Sequence, residues 1–165
     1  MGQETPTDDL SSLKRLPALE LRGMTGVMRL DPRESLVLLL MRDAALPRAH
    51  KYIAQLEAHL SEFRAWDTRL IVITEKESIE SGLETASTSP EKWHTLGIAA
   101  GKSALIIADR WGEVYFAQQT ETFADMLSPE QVEEWVRYLA TQCPECGVID
   151  ESGRGEWDTR ERNAR

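Results

Sequence analysis

A chain of 165 residues fits a single domain, and at that size about 70% of the unfolded surface is hidden without disulfide or metal staples. Apolar residues at 41% and charged residues at 28% exclude a disordered chain. Nineteen Lys and Arg against 28 Asp and Glu leave a net charge of −9; such a chain repels phosphate backbones and anionic lipid, so neither nucleic acid nor a membrane surface is expected as a partner.

Residues 1–15 are read as a flexible N-terminal segment, the first ten being polar. Short segments at Ala18–Leu21 and Val27–Leu30 flank Gly23-Met24-Thr25-Gly26 and read as a hairpin. Leu36 to Met41 is apolar without alternation, as in a central strand buried on both faces. Tyr52, Ile53, Leu56, Leu60 and Phe63 then recur at helical spacing, which predicts an amphipathic helix over 48–63. Arg69 to Thr74 is a second buried strand, and strand–helix–strand at this spacing is a parallel right-handed crossover.

Glu75 to Ser87 is rich in Glu, Ser and Thr and reads as a solvated loop with one helical turn at most. Ser89-Pro90-Glu91 opens a helix that Gly97 ends. Ala104–Ala108 is a third buried strand, Asp109-Arg110-Trp111-Gly112 is turn chemistry, and Glu113–Gln118 returns antiparallel. Ser128-Pro129-Glu130-Gln131 is a capping box that starts a last helix, with Val132, Trp135, Val136 and Leu139 on one face. Pro144 stops it, and residues 148–165 read as a disordered charged tail. The domain is therefore expected over 16–147, as an α/β sandwich with a mixed central sheet, flanking helices and an N-terminal β-hairpin.

Two cysteines are too few for a secreted disulfide framework. The first thirty residues contain no apolar signal region, and the longest apolar run, six residues, cannot span a bilayer. A cytoplasmic location is the expectation. No Gly-rich phosphate loop or dinucleotide fingerprint points to a nucleotide cofactor.

The order of elements resembles the thioredoxin fold with the N-terminal hairpin of peroxiredoxin-like proteins. "LVLLLMRDAALPRAHKYIAQLEAHL" from Leu36 is similar to the strand, active-site loop and first helix of the alkyl hydroperoxide reductase/thiol-specific antioxidant redoxins. "ALIIADRWGEVYF" from Ala104 is similar to their Asp-x-x-Gly hairpin. The resemblance covers Leu19 to Leu139 and implies thiol–disulfide or peroxide-reducing chemistry. Relatives that use a Cys-Pro-x-Cys pair carry it between that strand and helix. Here Leu46-Pro47-Arg48-Ala49 stands in its place. A helix N-terminus lowers a thiol's pKa and makes it a nucleophile, but neither Leu46 nor Ala49 can ionise. The family's Pro before the third strand is absent too, with Lys102-Ser103 in that region. The resemblance thus implies a degenerate redox site. Arg42, Asp43, Arg48 and His50 cluster in sequence around it and read as a solvated loop ahead of an anion site.

The remaining chemical motif is Cys143-Pro144-Glu145-Cys146-Gly147. Its spacing suits half of a zinc site, a redox dithiol with Cys143 as nucleophile, or two inert reduced thiols. A structural zinc needs four ligands; His50, His59 and His94 have no ligand-like spacing, so a zinc site would be shared by Cys143 and Cys146 of two chains in a homodimer. Redox use is disfavoured by the preceding helix C-terminus, whose partial negative charge raises a thiol's pKa. Two functions follow as expectations: a silent redoxin acting by association with a protein partner or a second copy, or an oxidoreductase whose dithiol has moved to Cys143 and Cys146.

Overall fold

The apolar run after Glu34 becomes the strand around which the molecule is built. The computed structural model describes residues 9–23, 26–29, 34–42, 46–75 and 81–142. Its strands are β1 (Glu20–Gly23), β2 (Gly26–Arg29), β3 (Ser35–Met41), β4 (Thr68–Thr74), β5 (Glu84–Ser87), β6 (Ser103–Ala108) and β7 (Val114–Thr120). Its helices are α1 (Pro47–Ala58), α2 (Leu60–Ala65), α3 (Pro90–Thr95) and α4 (Pro129–Thr141). The strands form one mixed sheet in the order β2-β1-β5-β4-β3-β6-β7. β3 pairs with β4 in parallel and with β6 antiparallel, so the predicted crossover through α1 is present.

Period-two alternation divides the apolar strand residues between two cores. Val37, Leu39, Leu70, Val72, Leu105 and Ile107 face α1, α2 and α4. Leu36, Leu38, Leu40, Ile71, Ile73 and Ile106 face Trp93 of α3 and the chain around Leu10. Both faces are covered, which is why β3 reads as an unbroken apolar run. No helix among the described residues is long and apolar enough to cross a membrane.

Four local expectations are corrected. The helix predicted over 48–63 breaks at His59, which has φ −95° and ψ 2° and closes α1 while opening α2. Its Nδ1 lies 2.5 Å from Glu133 Oε2 on α4, so the elbow is tied to the neighbouring helix. The loop predicted over 75–87 contains β5, which pairs in parallel with β4 and antiparallel with β1. Thr85 and Ala86 are buried there; the non-local pairing overrides a composition that locally favours a loop. Glu75 and Glu84 are not simply solvated, since they pair with Arg42 and Arg69. Finally, residues 9–16 pack onto the body: Leu10 is buried, and Lys14–Leu16 bonds to the start of β7 through Val114 N–H to Lys14 O (2.9 Å) and Leu16 N–H to Gly112 O (2.8 Å).

The Asp109–Gly112 turn and the Ser128 cap appear as drawn, whereas Ser89 stands at the N-cap of α3 without a side-chain cap hydrogen bond, and Met24 and Thr25 of the first turn lie outside the described residues. Asp109 Oδ1 accepts from the amides of Trp111 and Glu113 (both 2.9 Å), and Gly112 takes φ +81°, a region that favours glycine. Gly97 also has φ +81°, and a Cβ there would meet Leu10 N at 3.0 Å. At α4, Ser128 Oγ accepts from Gln131 N–H (3.3 Å) and Gln131 Oε1 accepts from Ser128 N–H (3.0 Å), closing the capping box.

Candidate functional site

In open sheets with parallel strands, ligands and reactive groups gather at the carboxyl ends of the strands. Here that edge carries Arg42 after β3, Glu75 after β4, Thr88 after β5, and the N-terminus of α1. Leu46 is the N-cap of α1, with extended φ −66° and ψ 133°. Its carbonyl accepts from Ala49 N–H (2.9 Å) and His50 N–H (3.2 Å), and its side chain makes no cap hydrogen bond. Pro47 follows at the first helical position, where its missing N–H costs nothing. Leu46 is 47% exposed whereas Ala49 is wholly buried. The motif thus presents one residue outward at the positive end of a helix and one inward. Neither side chain has an ionisable atom.

Among the described residues, the charged side chains predicted around this motif are not joined to one another. Arg42 is committed to the Glu75 carboxylate, and its guanidinium lies 4.9 Å from the Trp93 ring centroid. Arg48 and His50 are exposed on α1, and Asp43 lies outside the described residues. The Arg42–Glu75 pair was missed from sequence, although a signal for it exists. In-register parallel strands that pair Met41 with Thr74 bring the two following residues side by side. The antiparallel register Leu40–Ala104 sets Lys102-Ser103 beside the same edge. Among the described residues, the buried Arg42 Nε and Trp93 Nε1 atoms have no hydrogen-bond acceptor.

Cys143 and Cys146 lie outside the described residues, but their attachment point does not. α4 ends at Thr141, and Gln142 lines a cleft of about 420 Å³ together with Ser35, Trp66, Asp109, Trp111 and Leu139. Ser35 begins β3, and Asp109 follows β6. This cleft is therefore at the amino end of β3, opposite Leu46. Six steps along β3 at about 3.3 Å each separate the two ends by about 20 Å, whereas Cys143 is bonded directly to Gln142. Among the described residues no group of three or more His, Cys, Asp or Glu side chains is arranged to hold a metal ion. His59 is engaged with Glu133, and His50 lies on the exposed face of α1.

No protein-family model matches this sequence, and no curated protein matches it. Solved structures do match its fold. A thiol:disulfide interchange protein DsbE from Chlorobium tepidum superimposes with a TM-score of 0.65 at 14% identity, over 77% of this chain and 96% of that one. Peroxiredoxin Q from Xanthomonas campestris gives 0.60 at 12% identity, over 78% and 99%. A thiol:disulfide interchange protein from Bacteroides sp. gives 0.61 at 12% identity, over 81% and 93%. At such identities the likeness speaks for the backbone and not for the chemistry. The chain has the thioredoxin-like fold of these redoxins.

Proposed function

We propose that this protein is a redoxin-fold binding or assembly module, catalytically silent at the N-terminus of α1. The carrying observation is Leu46, half exposed at the N-cap with wholly buried Ala49 one turn on. A thiolate at that cap would gain from the helix dipole and the amides of the first turn; an isobutyl and a methyl group gain nothing from either. Exposed leucine at a helix end suits contact with an apolar group of a partner. The test is steady-state reduction of hydrogen peroxide and of a protein disulfide, with dithiothreitol as electron source. The wild-type chain is expected to add nothing to the buffer rate. Turnover that depends on its thiols contradicts the reading.

The second reading is a thiol–disulfide oxidoreductase or peroxide-reducing protein that works through Cys143 and Cys146. In its favour stand the names of the structures with the same fold. Its requirement is specific: activity must be present and must vanish in Cys143→Ser. Native mass spectrometry reads the same thiols for metal. One zinc ion per two chains supports a shared four-thiolate bridge, and zinc-free chains remove it.

A further inference from the structure

The cleft at the amino end of β3 is walled by two indoles, Trp66 and Trp111, three carboxylates, Glu34, Asp67 and Asp109, and one cation, Arg110. Three carboxylates against one guanidinium leave these walls with a net charge of −2. Glu34 and Asp67 are exposed, and among the described residues neither carboxylate has an ion-pair partner. Asp109 differs from them, being only 6% exposed. Its Oδ1 accepts from the amides of Trp111 and Glu113, both at 2.9 Å. Its Oδ2 receives no hydrogen bond from any described residue, and a carboxylate held this deep calls for a donor at each oxygen. The ring beside it already takes a cation: the Arg110 guanidinium carbon lies 4.7 Å from the Trp111 ring centroid.

We propose that this cleft binds the guanidinium group of an arginine carried by a partner polypeptide. Walls of net negative charge call for a cation, and a concave site focuses that charge. An acceptor oxygen without a donor calls for an N–H, which a quaternary ammonium does not have. Flat indole walls favour a planar cation that stacks on a ring and forks to a carboxylate at once. Guanidinium does both, and the compact ammonium of lysine does not. The α-carboxylate of free arginine would meet Glu34 and Asp67, like against like. An arginine whose two ends are in peptide bonds is therefore the better fit. A volume of about 420 Å³ holds such a side chain together with its stem. The cleft stands about 20 Å from Leu46 along β3, so it is a second contact surface and not an extension of the first.

The inference rests on the binding reading only for the partner's being a polypeptide. Its test is a titration of the full chain with N-acetyl-arginine amide, followed by NMR at the N–H signals of the five tryptophan indoles. A dissociation constant of about 1 mM is expected for a probe of this size. The shifts are expected at Trp66 and Trp111, assigned from Trp66→Phe and Trp111→Phe, and not at Trp93 or Trp135. N-acetyl-citrulline amide, equal in shape but uncharged, is expected to leave every indole in place. N-acetyl-lysine amide and free arginine are each expected to bind at least about threefold more weakly. Asp109→Asn keeps an acceptor for the two turn amides while removing the charge, and is expected to weaken the arginine probe about tenfold. Asp67→Asn is expected to weaken it about threefold. Circular dichroism shows whether each variant is folded; if Asp109→Asn is not, Asp67→Asn and Trp111→Ala carry the test. Indoles unmoved by the arginine probe overturn the proposal. So does a citrulline or lysine probe that binds as tightly, or binding that no folded aspartate variant weakens, since ring stacking alone would then account for it. The peroxide assay tests silence at α1 separately, so either claim can fail alone.

Discussion

The two ends of β3 differ in what they have kept. At the carboxyl end, α1 begins on Leu46 with an uncapped first turn, an outward side chain at the cap and a buried one at Ala49. That is a geometry suited to activating a thiol, with no thiol present. At the amino end, α4 finishes beside Trp66 and Trp111 and delivers the chain to Cys143. Cys143 and Cys146 follow α4 in the sequence, and a helix C-terminus opposes thiol ionisation. A site built at one end of β3 and a thiol pair at the other would stand apart by about the length of this seven-residue strand. A fold likeness to redoxins therefore says little about activity, since activity needs both at one place.

The largest effect expected from a single change tests whether the carboxyl end is held by packing. Trp93 is fully buried against Arg42 and the face of the sheet that includes Leu38 and Leu40. Trp93→Ala is expected to cost about 3–5 kcal/mol in urea unfolding. Leu46→Ala at the same end is expected to cost no more than about 0.5 kcal/mol, as an exposed substitution. Equal losses would mean that Leu46 is a core residue, and the account of an outward-facing position would fail.

A smaller and pH-dependent effect probes the tie between α1 and the entry to α4. Tyr52 donates its hydroxyl to Leu127 O at 2.7 Å, with the Phe123 ring tilted against it at 5.8 Å between centroids. Burial pushes the phenol well above its ordinary range. A group whose folded value is raised contributes stability that is complete below its unfolded value, near 10, and is lost as pH climbs past it. Wild-type stability is thus expected to fall above about pH 10 more steeply than that of Tyr52→Phe. At neutral pH the variant is expected to lose about 1 kcal/mol with the hydrogen bond. Parallel alkaline curves for the two proteins would show that Tyr52 is not the group that titrates.

Much of this arrangement is legible in the sequence where the signal is local. The Asp109–Gly112 turn and the Ser128 capping box satisfy their own backbone groups within a few residues, and the Leu36–Met41 run marks a strand buried on both faces by its composition, although its backbone bonds to β4 and β6. β5 is different. Glu84-Thr85-Ala86-Ser87 has a loop's composition and becomes a strand only because β4 and β1 stand on either side of it. The elbow at His59 is tied to Glu133, 74 residues away. The same holds for the candidate site. Leu46–Ala49 could be placed between β3 and α1 from the elements flanking it. The pairing of Arg42 with Glu75, and the exit of the chain at the far end of the sheet, required the register of whole strands.

The most direct measurement is the pH profile of iodoacetamide alkylation in Leu46→Cys, resolved by peptide mass against the native thiols in the same chain. The account predicts that Cys introduced at 46 reacts as a thiolate well below the ordinary value near 8.5. It predicts that Cys143 and Cys146 titrate at or above that value. Native thiols that ionise at low pH, beside an introduced thiol of ordinary behaviour, would contradict it: the working chemistry would then lie at the α4 end.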